Sequence, residues 1–138
     1  ENKNVQPDLI KNNVLDVKKL FWGDENDLEQ IGKNCADVVV ASDCICHQDK
    51  TVMEALVTSI KGLLKLDKDT TNKKKLPDSD EDDNKFHESV AYVAYEFRDD
   101  WWTIGEFHKA AENIGFFVES EELGDDDDHI VYKMRLRK

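Results

Sequence analysis

The chain has 138 residues, enough for one domain with a buried core, and its formal net charge is −12. That acidic balance disfavours a protein whose affinity comes mainly from contacts with nucleic-acid phosphates. A basic protein is the expected partner, although the charge could also reflect only a soluble surface. The sequence has no apolar run long enough to cross a bilayer, so we expect no membrane partner.

Two elements are predicted in the first quarter of the chain. Residues 17–22 have the pattern of a strand that ends at Trp22. Asp24 is placed to cap a short helix that turns Leu28 inward, and Gly32 is placed to end it.

Residues 36–42, Ala-Asp-Val-Val-Val-Ala-Ser, read as a short strand buried on both faces, as the central strand of a parallel sheet would be. Ligands of open α/β sheets bind beyond the carboxyl ends of the strands. Asp43 follows this strand directly, so its carboxylate is a candidate for chemistry or for holding a substrate. The alternative is that Asp43 only caps or turns the chain.

The middle of the sequence predicts a helix, a loop and a second strand. Apolar residues recur at helical spacing over residues 49–64. Residues 65–85 are polar and acidic with almost nothing to bury, so we interpret them as a loop insertion. Residues 89–97 form the second central strand, with Glu96 and Arg98 at its carboxyl end.

The last third predicts one more helix and two strands. Thr103 and Glu106 have the spacing of a capping box, so a helix should begin at Thr103 and stop at Gly115. Residues 116–120 and 130–136 are strands joined without a helix, which requires antiparallel pairing.

The three cysteines, Cys35, Cys44 and Cys46, make an odd number without zinc-like spacing to other ligands. We interpret them as free thiols of a protein in a reducing compartment and expect a cytoplasmic location, with no metal site.

Several short motifs occur in an order that resembles the seven-β-strand protein lysine methyltransferases that use S-adenosylmethionine. They are Leu-Phe-Trp-Gly at 20–23, Ala-Asp-Val-Val-Val-Ala-Ser-Asp at 36–43, Tyr-Glu-Phe-Arg at 95–98, Glu-Phe at 106–107 and Ile-Gly-Phe at 114–116. The resemblance implies the C-terminal half of a Rossmann-like α/β methyltransferase sheet, with parallel strands and a terminal antiparallel pair.

The resemblance also implies site residues. Trp22 is similar to the tryptophan that packs against the adenine of the cofactor, and Ala41 and Ser42 to the residues beside its methionine part. Trp22 could equally be a core residue.

On the substrate side, Asp43 resembles the first residue of the family's Asp-x-x-Tyr motif, which lies at the substrate lysine. Cys46 stands where the tyrosine is expected, which removes an aromatic wall of a lysine site. Glu96 and Arg98 resemble the strand-end pair near the substrate, although such a pair could also be a surface ion pair worth little.

The sequence contains no Gly-x-Gly, so the glycine-rich cofactor loop is missing from residues 1–138 and we expect a partial methyltransferase domain. In that case the strand over residues 36–42 would expose an apolar edge, through which the chain could associate with a second copy. The competing hypothesis is a non-catalytic, methyltransferase-like module that binds a protein partner.

Overall fold

The computed structural model describes residues 15–45, 47–66, 86–96, 101–122 and 129–138. In chain order the elements are α1 (Glu25–Ile31), β1 (Val38–Ser42), α2 (Lys50–Leu63), β2 (Phe86–Glu96), α3 (Trp101–Asn113), β3 (Phe116–Glu122) and β4 (His129–Arg137). Most of the loop predicted over residues 65–85 lies outside the described residues.

The described strands form one sheet in the order β1-β2-β4-β3. β1 and β2 are parallel, with Ser42 opposite Ala94, whereas β4 runs antiparallel to both β2 and β3. This arrangement confirms the predicted α/β fold and its terminal antiparallel pair. The structure extends the last three predicted strands by one to three residues at their ends.

The core lies between one face of the sheet and the helices α2 and α3. Its fully buried side chains include Met53 and Val57 of α2, Phe107 of α3 and Met134 of β4. α1 adds Leu28, which packs against Gly62 of α2. The helices therefore hold the sheet from one side.

The caps of α1 are those that the sequence predicts, and α2 has an N-cap of the same kind. Asp24 accepts a hydrogen bond from the backbone N–H of Asp27, and the N–H of Gly32 closes α1 on the carbonyl of Leu28. Asp49 caps α2 by accepting from the backbone N–H of Val52. These bonds satisfy backbone groups that a helix end leaves open.

Three predictions are wrong. Residues 17–22 form no strand, and α3 begins at Trp101, so Thr103 lies inside its first turn and is fully buried. β1 is not buried on both faces, because Val38 and Val40 are 54% and 72% exposed. Within the described residues β1 pairs with β2 alone, and the helices cover the other face of the sheet.

Candidate functional site

A turn at Trp22-Gly23 is fixed against the side of α2. The backbone N–H of Gly23 donates to Ser59 Oγ at 2.7 Å, and that hydroxyl donates to the carbonyl of Ala55 at 2.9 Å. Gly23 has φ +81°, and a Cβ there would lie 3.2 Å from the Cβ of Ala55. Glycine is therefore needed both for the left-handed backbone and for the close approach to the helix.

The aspartates at the start of α1 hold the preceding segment in place. Asp27 Oδ2 accepts from the backbone N–H of Phe21 at 2.9 Å, and the N–H of Asp24 donates to the carbonyl of Phe21 at 3.0 Å. The chain on both sides of Trp22 is thus tied down by hydrogen bonds. The indole, partly buried and packed against the core, is held in a defined position.

A cavity of about 430 Å³ opens beside Trp22. Its lining residues come from the Trp22 segment (residues 20–23) and from the first turns of α2. They are Leu20, Phe21, Trp22, Thr51, Val52 and Ala55. The walls are apolar and aromatic except for the Thr51 hydroxyl, which donates to Asp49 Oδ1 at 2.6 Å. That hydrogen bond is the main reason why the pKa of the Asp49 carboxyl lies below its usual value.

A flat heteroaromatic group such as adenine fits walls of this kind, because an indole and aliphatic side chains offer stacking and apolar contact. The residues present therefore suit the adenine end of S-adenosylmethionine. The motif at residues 20–23 predicted a cofactor contact for Trp22, whereas the helical pattern of residues 49–64 gave no signal for Thr51, Val52 or Ala55.

The other two predicted cofactor residues lie at the end of β1 and do not line this cavity. Ala41 is half-buried against the core, opposite Val93 in β2. Ser42 is exposed, and its carbonyl accepts a hydrogen bond from the Cys44 thiol at 3.2 Å.

Asp43 is exposed at the carboxyl end of β1. Its backbone N–H donates to the carbonyl of Ala94 at 3.0 Å, which continues the parallel ladder by one residue. Its φ is +52°, a left-handed conformation that aspartate adopts more readily than most residues. Ile45, two residues later, is fully buried and anchors the segment in the core. Asp43 therefore turns the chain, whereas the cap of α2 is Asp49.

Glu96 ends β2 at the same edge of the sheet and is paired in register with His129 at the start of β4. It is exposed, as is His129. Cys46 and Arg98, the remaining predicted substrate residues, lie outside the described residues. Among the predicted site residues, the structure thus brings Ser42, Asp43 and Glu96 to one edge.

Two further features bear on the type of site. The described residues contain no cluster of His, Cys, Asp or Glu that could hold a metal ion. Nor does that part of the chain contain a helix long and apolar enough to cross a membrane.

Comparison with known families gives one match, which covers residues 1–92 and therefore includes the Trp22 segment, β1, α2 and the start of β2. The matching family is described as lysine methyltransferase. A search of curated proteins finds no match. The family is the one that the order of the motifs indicated, its members depend on S-adenosylmethionine, and the match spans most of the chain. The chain belongs to the lysine methyltransferase family.

Proposed function

We propose that the edge of the sheet where Asp43 follows β1 holds the ε-amine of a protein lysine for methylation. The observation that carries this proposal is the backbone of Asp43. Its N–H is fixed to the carbonyl of Ala94, and its positive φ turns the exposed carboxylate out of the strand direction. A charged side chain on such a fixed backbone can position a cationic substrate.

Asp43 would act by charge and geometry. Its carboxylate first attracts the lysine ammonium from solvent and, once a proton has passed to water, accepts a hydrogen bond from the neutral amine. The nitrogen lone pair is thereby aimed at the reacting carbon. S-adenosylmethionine, when bound, supplies a methyl group activated by a sulfonium, so positioning rather than acid–base chemistry is the main requirement.

Trp22 would hold the adenine. Its indole is the largest aromatic surface in the wall of the cavity, and Val52 and Ala55 line the same cavity from α2. Ala41 and Ser42 remain candidates for contacts with the methionine part, and Glu96, with Cys46 and Arg98, for contacts with the substrate.

The substrate we propose is a basic protein, because the net charge of −12 attracts positively charged partners and disfavours nucleic acid. We also propose a cytoplasmic location. Cys35 and Cys44 support it, since neither forms a disulfide in the described residues, and reduced thiols persist in a reducing compartment.

The test replaces Asp43 with asparagine in a longer form of the enzyme that contains the cofactor loop. This substitution keeps the size of the side chain and removes its charge. We expect turnover of a lysine peptide to fall by about 100-fold, the scale of a lost positioning group. The melting temperature and the affinity for S-adenosylmethionine should change little.

Asp37 provides the matched control. It is another exposed aspartate, it lies at the opposite end of β1, and it pairs with Lys65 at 2.7 Å. Asp37→Asn should leave turnover nearly unchanged. Equal turnover in the two variants would show that Asp43 has no role in positioning the amine.

One observation favours the second candidate function, a protein-interaction module that associates through β1. Val38 and Val40 are largely exposed, and in the described residues the outer edge of β1 has no neighbouring strand. An apolar strand with an open edge can pair with another chain.

The test of this alternative is Val40→Lys, with Val40→Thr as the control that keeps the branched shape. If β1 is the interface between two copies, the lysine variant should sediment as a monomer and the threonine variant as a dimer. An unchanged sedimentation coefficient in the lysine variant would argue against self-association through β1.

A further inference from the structure

Two adjacent tryptophans at the start of α3 are largely exposed. Trp101 is 72% and Trp102 is 51% exposed, although tryptophan is among the most costly side chains to leave in water. Their rings meet edge to face, with centroids 6.5 Å apart and an interplanar angle of 79°. That contact limits the motion of both indoles while large parts of their surfaces stay open.

The helix does not need these tryptophans for its own packing. α3 is held to the core by Thr103, Phe107, Ala110 and Ala111, which share its inner face. Trp101 lies on the opposite side of the helix, because it precedes Thr103 by two residues, and side chains two positions apart point about 200° apart around the helix axis.

Gly105 lies on the outer surface of α3, one turn after the two tryptophans. It follows Trp101 by four residues and Trp102 by three, so it lies next to both on the helix surface. A Cβ at Gly105 would meet nothing within 4 Å, so packing does not require glycine there. Glycine inside a helix costs about 1 kcal/mol relative to alanine.

The chain connection limits the distance between this pair and the edge of the sheet that carries Asp43. β2 ends at Glu96, and α3 begins five residues later at Trp101. Five residues of extended chain reach at most about 18 Å, so Glu96 and Trp101 lie no farther apart than that. Asp43 is hydrogen-bonded to β2 at Ala94, one strand spacing of about 5 Å away.

We propose that Trp101 and Trp102 bind a second basic side chain of the protein substrate, a lysine or arginine close in sequence to the lysine that is methylated. A cation is attracted to the face of an indole, and arginine also stacks on it. The acidic charge of the chain, with Asp43 and Glu96 at this edge, favours a positively charged segment over an apolar one.

The geometry sets the spacing of the two basic residues. The path from Asp43 across to Ala94 and along the chain to Trp101 is at most about 30 Å, which an extended peptide covers in roughly nine residues. The binding residue should therefore lie within about nine positions of the target lysine. The location of the target lysine at Asp43 rests on the proposed function, whereas the affinity of the indoles for a cation does not.

The experiment measures binding to the purified chain by titration calorimetry. The probe is a Gly/Ser peptide that carries a central lysine and one arginine within that distance, and the reference peptide has citrulline, the uncharged analogue, in place of arginine. We expect the Trp101→Ala/Trp102→Ala variant to bind the arginine peptide about fivefold to thirtyfold more weakly, which corresponds to roughly 1–2 kcal/mol. Its affinity for the citrulline peptide should not change.

Two variants serve as controls. Trp101→Phe/Trp102→Phe keeps aromatic faces and should retain part of the affinity. Leu66→Ala removes another exposed apolar residue, 45% exposed, which follows the Lys65–Ala36 hydrogen bond at the opposite end of β1. It should bind both peptides as the unchanged chain does.

The inference is overturned if the double alanine variant binds both peptides as the unchanged chain does. It is also overturned if that variant loses only self-association or only affinity for single-stranded nucleic acid. The two proposals can fail separately. Asp43→Asn with unchanged turnover contradicts the amine-positioning role alone, and loss of arginine-peptide affinity in the tryptophan variant would still support the cation-binding surface.

Discussion

Replacing Gly23 with alanine tests how the Trp22 segment is attached to α2. At φ +81° an alanine pays about 1–2 kcal/mol for the left-handed backbone. Its Cβ would also lie 3.2 Å from Ala55 Cβ, a close contact on a helix that can give little, with a cost of about 1 kcal/mol or more. The lower entropy of the unfolded chain offsets about 0.4–1 kcal/mol. We therefore expect a net loss of roughly 1.5–3 kcal/mol.

The assay is urea unfolding followed by far-UV circular dichroism, with Gly105→Ala as the matched control. Gly105 has no neighbour within 4 Å of a Cβ and lies in the interior of α3, so alanine should stabilise the chain by up to about 1 kcal/mol. The two changes are chemically identical and should have opposite signs. A Gly23→Ala chain as stable as the unchanged one would refute the account of the turn.

Two further predictions concern ring systems. In a longer form of the protein that contains the glycine-rich cofactor loop, Trp22→Ala should weaken the binding of S-adenosylmethionine by roughly 1–3 kcal/mol, measured by calorimetry, if the indole stacks on adenine. An unchanged dissociation constant in a folded variant would make Trp22 a core residue. Burial lowers the pKa of His108, which contacts Tyr132 edge to face, so the unfolded chain takes up a proton at higher pH than the folded one. His108 should therefore lower the free energy of unfolding as the pH falls through the ordinary imidazole pKa of 6.5. His108→Gln should flatten the pH dependence of the urea midpoint between about pH 8 and pH 5.5. If the variant still loses stability over this range, His108 is not the cause.

Features that depend on a few neighbouring residues could be predicted from the sequence. Asp24 is a cap because its short acceptor side chain bonds the N–H of Asp27, three residues ahead. Gly115 stops α3 with φ +101°, as a glycine after an apolar helix stripe predicts. In each case the relevant partners lie within one turn of the chain.

Features that depend on distant partners could not. Residues 17–22 have a strand pattern, but a strand needs a neighbour, and in the described residues this segment is held by Asp27 and α2 instead. Thr103 has the spacing of a capping residue, yet α3 begins earlier and buries it. The three valines near the start of β1 predicted burial on both faces, whereas the described helices cover only one.

The candidate site combines both kinds of feature through α2. The interior side chains of this helix, Met53 and Val57, fix it on the sheet. Its second and third turns carry Ala55 and Ser59, which set the position of the Trp22 segment. Its cap, Asp49, receives the chain that comes from Asp43. A shift of α2 would therefore move the Trp22 segment relative to the end of β1. The distance between the proposed adenine and amine positions thus depends on how α2 packs on the sheet.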